Sequence, residues 1–168
     1  MRCRLLPLLG VLVLSGAFVA VARAAFGITV LPATTAGTPV TLNGLDQTST
    51  FTATITVSGA VLTGWNITAW APLPASGANT LAALVVPTQP TDGPCSGGAC
   101  CQPTPIGITW PVTVGTTAGG ATKIYNANTS TGKGTNTLTV TFNIPVPAGA
   151  LAATYTTTLT IIGSNSGP

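Results

Sequence analysis

Threonine alternates with apolar residues along several stretches of this chain, and that alternation strongly constrains what the chain can fold into. The clearest run is Phe51-Thr-Ala-Thr-Ile-Thr-Val57, in which every second side chain is apolar. Successive side chains of a β-strand point to opposite faces. The pattern therefore places Phe51, Ala53, Ile55 and Val57 on a buried face and the threonines toward solvent. β-Branched residues also favour strands, so the run predicts a half-buried strand.

Other segments repeat this pattern, and none after the first 24 residues shows the apolar period of a helix. Ser58-Gly59 offers a turn, so residues 62–70 are expected to return as the second strand of a hairpin. About eight short strands separated by Gly and Pro indicate an all-β fold, a single β-sandwich with an Ig-like arrangement. A closed β-barrel is the alternative. The further predicted strands are 26–31, 39–43, 81–86, 105–114, 122–127, 138–144 and 155–162, and residues 87–105 are predicted to be a Cys-containing loop.

The first 24 residues have the organisation of a secretory signal peptide. Arg2 and Arg4 form a basic start, an uncharged apolar stretch follows at 5–22, and Ala22-Arg-Ala24 fits a small-x-small cleavage site. A membrane anchor is the alternative reading, but a stretch of about 18 residues is at the lower end of what spans a bilayer. We therefore expect residues 25–168 to be secreted as one domain, with no stable membrane span after cleavage.

The predicted secreted chain has very few ionisable groups. The formal net charge of +3 belongs to the whole sequence, and three of its basic residues lie in the signal peptide. The predicted secreted chain therefore contains two basic residues, Lys123 and Lys133, and two acidic residues, Asp46 and Asp92. It has no His or Glu. Binding of nucleic acid depends on clustered Lys and Arg, so no nucleic-acid partner is expected.

The same scarcity argues against catalysis. A Ser-His-Asp triad requires a histidine, and a glycosidase pair of carboxylates could be formed only by Asp46 and Asp92. Both acids lie in turn-like contexts, where Asp commonly serves the turn itself. A serine–lysine site built on Lys123 or Lys133 is the enzymatic alternative, and no motif supports it. We predict a non-catalytic protein without a cofactor.

Three cysteines follow the signal peptide, in the run Cys95-Ser-Gly-Gly-Ala-Cys100-Cys101. Export favours a disulfide, and Cys95 could pair with either Cys100 or Cys101. The remaining thiol would then be free or would link to a second molecule. A metal site is not expected, because three thiolates lack a fourth ligand in a chain without histidine.

Aromatic side chains are the candidates for ligand contact. Trp65 and Trp110 run in phase with neighbouring apolar residues, which predicts core positions for both. Trp70 falls on the other face of the Trp65 strand, together with Asn66 and Thr68. A tryptophan on a face rich in Thr and Asn suits the stacking of a sugar ring, and an ordinary loop contact is the alternative. Trp70, Asn66 and Thr68 are the predicted ligand-binding residues.

Three segments, in this order, carry a family resemblance. Residues 62–68 contain a Gly-Trp-x-Ile motif, residues 122–144 contain Gly-Lys-Gly before an alternating strand, and residues 147–168 contain Pro-Ala-Gly, a Thr-rich strand and a closing Ser-Gly-Pro. Together they resemble the WxL domain of Gram-positive surface proteins over most of the secreted chain. The chain departs from that pattern at Ile161, where the family has Trp, and at Gly163, where it has Leu. The matching motif residues are Gly64, Trp65, Ile67, Tyr155 and Pro168.

The resemblance implies non-covalent association with the cell wall. The expected partner is peptidoglycan or another cell-wall polymer, with other surface proteins or further copies of the chain as additional partners. We predict an extracellular, cell-wall-associated module that serves surface display or adhesion. The alternative is a structural subunit of a polymeric surface fibre or coat, because Thr-rich edge strands of low charge can pair between chains.

Overall fold

The computed structural model describes residues 26–61, 63–97 and 102–167. The predicted signal peptide, residues 1–24, lies outside these ranges, as do Cys100, Cys101 and Pro168. The described residues form eleven strands and one short 3₁₀ turn at Ala118–Gly120. None of their helical segments is long and apolar enough to cross a membrane.

The strands fall into two sheets and a small hairpin. In chain order they are β1 (Gly27–Leu31), β2 (Gln47–Ala60), β3 (Trp65–Trp70), β4 (Ala75–Ser76), β5 (Asn79–Thr80), β6 (Val85–Val86), β7 (Thr91–Ser96), β8 (Val112–Thr113), β9 (Thr122–Ala127), β10 (Gly134–Val146) and β11 (Thr160–Ser164). β4 and β5 form the hairpin.

The large sheet has the strand order β1-β2-β10-β6-β8, and β7 also pairs with β10. Its centre is the long antiparallel pair of β2 and β10, which runs from Gln47 opposite Val146 to Ala60 opposite Gly134. The predicted alternation is confirmed on β2, where Ala53, Ile55 and Val57 are buried. On β10 the buried residues are Leu138, Val140 and Phe142. The inner face of this sheet therefore forms one wall of the core.

The small sheet has the order β11-β3-β9 and supplies the opposite wall. Trp65, Ile67 and Ala69 on its central strand are completely buried. The hydrogen-bonded ladder of the large sheet ends at β1 and β8 and does not continue into the small sheet. The predicted all-β sandwich is confirmed, and the alternative of a closed barrel is wrong.

The predicted hairpin between residues 51–57 and 62–70 is wrong. β2 continues through Ser58 and Gly59, and β3 lies in the other sheet. Gly64 precedes β3 with φ of 84°, a left-handed conformation that favours glycine. The chain thus crosses from one sheet to the other at the point where a hairpin turn was expected.

Four further predictions differ from the structure. The predicted loop at 87–105 contains β7, which lies along the edge of β10. The predicted strand at 105–114 is reduced to Val112–Thr113, directly after Pro111, which has no N–H to give to a ladder. Residues 39–43 form no strand, and the last strand begins only at Thr160.

Candidate functional site: the outer face of the small sheet

β3 has one face in the core and one face turned outward. Trp65 stacks on Tyr125 of β9, with the ring centroids 5.3 Å apart, and its Nε1 donates to the Gly132 carbonyl at 3.0 Å. The predicted core position of Trp65 is therefore confirmed. Because side chains alternate along a strand, Thr68 and Trp70 lie on the outer face, where both are half-buried.

Gly64, Trp65 and Ile67, the family-like motif residues at the start of β3, are buried. Gly132 has φ of 68°, and a Cβ there would lie 2.6 Å from Trp65 Nε1, so the close approach requires glycine. The same carbonyl of Gly132 also accepts a bond from Asn136 Nδ2 at 2.6 Å. Tyr155 is half-buried, and its hydroxyl donates to the Leu151 carbonyl at 3.2 Å. The Gly-Trp-x-Ile motif is therefore part of the packed interior and is not accessible to a ligand.

Packing around Gly163, where the WxL pattern would have Leu, leaves no room for a side chain. Gly163 faces inward opposite Ile67, and a Cβ at this position would lie 2.5 Å from Ile28 Cγ2. Phe26 Cε1 would be only 3.1 Å away. A leucine therefore has no room here while β1 packs against β11.

Asn66 is less accessible than a binding residue needs to be. It is 8% exposed, and its Nδ2 donates to the Gly167 carbonyl at 3.0 Å. Its neighbour across the ladder, Asn126, is 5% exposed and donates to the Ile106 carbonyl at 3.0 Å. Of the three predicted ligand-binding residues, only Thr68 and Trp70 lie on the more open part of the face.

Neighbouring strands bring additional side chains to Thr68 and Trp70. On β11, Thr160 lies opposite Trp70 and Ile162 lies opposite Thr68. On β9, Lys123 lies opposite Thr68. Sequence reasoning missed these residues because strand register cannot be read from the pattern of one strand. We call the following set the Trp70 surface: Trp70, Thr68, Thr160, Ile162, Ser164 and Lys123.

The Trp70 surface combines an aromatic ring with hydroxyl groups and one cation. Ile162 is 48% exposed and adds an apolar contact beside Thr68. The Oγ atoms of Ser164 and Ser166 are 2.7 Å apart and form a hydroxyl pair at the end of β11. Such a face can stack on an apolar ring surface and exchange hydrogen bonds with hydroxyl or amide groups.

The two acidic residues are not brought together. Asp46 Oδ1 accepts a bond from the backbone N–H of Ala148, 102 residues away in sequence, at 2.8 Å. Asp92 lies opposite Leu138 of β10, whereas Asp46 directly precedes Gln47, which lies opposite Val146. At a rise of about 3.3 Å per residue, these positions on β10 are roughly 26 Å apart. That separation is far beyond the carboxylate spacing of glycosidases.

The predicted turn role of Asp92 is wrong, because this residue belongs to strand β7. Its Oδ1 accepts a bond of 2.7 Å from the hydroxyl of Tyr125, which is fully buried. Burial raises the pKa of Asp92, and the bond from Tyr125 partly opposes that rise. Burial, reinforced by the nearby carboxylate, also raises the pKa of Tyr125. The pair joins β7 of the large sheet to β9 of the small sheet.

Cys95 is half-buried on β7, with its Sγ 3.5 Å from the Lys133 carbonyl. Its two candidate partners, Cys100 and Cys101, lie outside the described residues, so the disulfide stays a prediction. Among the described residues, no three His, Cys, Asp or Glu side chains cluster closely enough to hold a metal ion.

No protein-family model, curated protein or solved structure matches this chain. The resemblance to the WxL domain therefore stays a prediction.

Proposed function

We propose that the chain is an exported, non-catalytic surface module that binds a cell-wall polysaccharide non-covalently, with peptidoglycan as the first candidate. The observation that carries this proposal is the position of Trp70 on the outer face of a strand whose inner face is fully buried. The ring is flanked by Thr68 on its own strand and Thr160 on the next. A ligand platform built on packed strands is held more rigidly than one built on loops.

The chemistry of the Trp70 surface suits a wall polymer. Peptidoglycan offers sugar rings for stacking on an indole, and hydroxyl and amide groups for hydrogen bonds to Thr and Ser. Its peptide stems carry carboxylates, which Lys123 can attract. Because the surface has a single cation, the interaction would depend only weakly on salt, unlike binding to nucleic acid.

The proposal is tested by co-sedimentation of residues 25–168 with purified peptidoglycan sacculi. Saturable binding is expected, and Trp70→Ala is expected to weaken it about tenfold, since stacking and lost apolar contact together are worth roughly 1.4 kcal/mol. Ile106→Ala is the matched control, because Ile106 is 42% exposed and lies beside Asn126, away from Trp70. This control should bind like the wild type.

Circular dichroism would establish that each variant is folded before binding is compared. A folded Trp70→Ala protein that binds sacculi as tightly as the wild type would refute a stacking role for this surface. Failure of the wild type itself to pellet would refute the wall-binding function.

A further inference from the structure

A β-bulge in β9 determines which face of the small sheet carries Lys123. Ile67 of β3 lies opposite Tyr125. The next residue of β3, Thr68, lies opposite Lys123, so Ile124 is an extra residue in β9. Ile124 and Tyr125 are both fully buried, although consecutive side chains of a regular strand point to opposite faces. The extra residue therefore changes the phase of β9 and turns Lys123 outward, beside Thr68.

The bulge has a direct consequence for the charge of the outer face. In a strand without it, Lys123 would share the phase of Tyr125 and point into the core, where an ammonium group is costly to bury. With the bulge, Lys123 is half-buried on the face that carries Trp70. Bulges commonly re-aim a side chain in this way next to functional sites.

Neither acidic side chain of the chain neutralises Lys123. The sequence contains only two such side chains. Asp92 accepts the bond from the Tyr125 hydroxyl at 2.7 Å on the core side of β9, and Asp46 accepts the bond from the backbone of Ala148. Among the described residues, Lys123 thus has no carboxylate partner. Charge complementarity favours an anionic group in a ligand that lies against it.

Thr68 is the small side chain at the centre of the Trp70 surface. Ile162 of β11 and Lys123 of β9 flank it on its two sides, and Trp70 follows two residues farther along β3. With strands about 4.8 Å apart and a rise of about 3.3 Å per residue, the backbone positions of Trp70 and Lys123 are roughly 8 Å apart. The long stem of a lysine can span much of that distance. One sugar ring over Thr68 can therefore contact the indole and bring an attached group to the ammonium.

A turn borders this surface on the side of β9. Gly115 forms a parallel bridge with Trp70, and bridge partners share a face of the sheet. The carbonyl oxygen of Gly120 occupies the place that a Cβ at Gly115 would take. The 3₁₀ turn at Ala118–Gly120 therefore rises beside Trp70. A ring that contacts the indole is thereby directed toward the space over Thr68.

We propose that the Trp70 surface selects an acidic saccharide, in which the sugar itself carries the carboxylate, and that Lys123 binds this carboxylate. The inference rests on the proposed wall-binding function and names the class of sugar that the same site takes. The short separation of Trp70 and Lys123 suits a carboxylate attached to the stacked ring or to the next one. A carboxylate on a flexible peptide stem would lose more conformational freedom on binding.

Binding to immobilised glycan strands, from which an amidase has removed the peptides, tests this inference. Such strands keep a carboxylate on the sugar at each former attachment point. Treatment with a carbodiimide and ammonia converts these carboxylates to amides and leaves the rings in place. We expect residues 25–168 to bind the amidated strands about fivefold more weakly than the untreated strands, because one ion pair is lost.

A pair of lysine variants assigns the effect to one side chain. Lys123→Gln should bind the untreated strands about fivefold more weakly than the wild type does, and it should not distinguish them from the amidated strands. Lys133→Gln is the matched control, because it removes the same charge elsewhere. Lys133 directly precedes β10 of the large sheet, and its carbonyl lies near Cys95 of β7. The folded control should prefer the untreated strands as the wild type does.

Three results would overturn the inference and leave wall binding itself intact. One is equal binding of the wild type to untreated and amidated strands. Another is a Lys123→Gln protein that still prefers the untreated strands. The third is displacement of the wild type by an excess of the released peptide stems, which would place the carboxylate on the peptide. Failure of the wild type to pellet with intact sacculi is a different result, because it would overturn the wall-binding function and this inference together.

Discussion

Tyr125 of the small sheet contacts the large sheet through its hydroxyl. Its ring stacks on Trp65 in the core, and its hydroxyl reaches Asp92 on β7. A buried hydroxyl without an acceptor costs free energy, and a partly buried carboxylate without a donor costs more. The bond therefore matters less for its own strength than for the two groups that it satisfies.

Replacing Tyr125 by Phe should lower the free energy of unfolding by about 1.5–3 kcal/mol, because the carboxylate of Asp92 loses its donor. Urea denaturation followed by tryptophan fluorescence measures the change. Tyr155→Phe is the control, since its hydroxyl makes an exposed bond to the Leu151 carbonyl and its loss should cost no more than about 0.5 kcal/mol. Equal losses in the two variants would contradict this account of Tyr125.

Asp92 should also make stability depend on pH. Burial raises its pKa in the folded protein above the ordinary value of 3.8, so folding favours the protonated form. This contribution to stability is fully present below pH 3.8 and is lost as the pH rises through the raised folded pKa. Asp92→Asn stays neutral and still offers an oxygen to Tyr125. Its free energy of unfolding should therefore rise relative to that of the wild type across this interval.

Urea denaturation of both proteins at several values from about pH 3 to about pH 7 would measure this difference. The difference should grow with pH and then level off. A constant difference, or one that shrinks as the pH rises, would show that burial does not control this carboxyl group.

At the level of strands, the sequence predicts what alternation alone can specify. β2 and β10 follow from their alternation of Thr with apolar residues. β7 could not be predicted, because Asp92, Gly93 and Pro94 are typical of turns, and the segment is extended only where it lies along β10. The wrong hairpin has a similar cause, since the pattern shows that two strands exist but not which strands they pair with.

For the candidate site too, the sequence pattern predicted some features and missed others. Periodicity along β3 placed Trp70 and Thr68 on the face opposite Trp65, and the structure agrees. The covering of Asn66 by Gly167 is a contact between residues far apart in sequence, and no local pattern reports it. Likewise, Thr160 reaches Trp70 through the register between β3 and β11, which packing in the folded chain decides.

The strands should differ in how readily they open. Ile55 and Leu138 face each other at the centre of the β2–β10 pair, and both are completely buried. Asn79 and Thr80 of the β4–β5 hairpin are exposed. Hydrogen–deuterium exchange followed by NMR should show the slowest amides in the first pair and fast exchange in the hairpin, because local opening is easiest where little apolar surface is buried. Equal protection in both regions would contradict this ranking.

For the whole molecule, the Trp70 surface and an uncharged groove lie on different parts of the sandwich. The Trp70 surface is on the outer face of the small sheet, and the groove is lined by Phe51, Ala53 and Ile144 of the large sheet. Ile161 lines the groove and Ile162 lies on the Trp70 surface, so neighbouring residues of β11 face the two regions. Binding of a polymer at the Trp70 surface therefore leaves the groove uncovered.

The packing of β1 against β11 has a mechanical consequence. Phe26 and Ile28 lie against Gly163, so the outer ends of these two strands are neighbours. A force that draws residue 26 away from residue 164 acts first on the terminal residue pairs of the two ladders. These pairs are Gly27 with Ser58 and Ser164 with Asn66. Each strand then separates one residue pair at a time, so its hydrogen bonds break one after another and do not resist the force together. Under tension in this direction the outer strands peel away early, while the long pair of β2 and β10 stays closed.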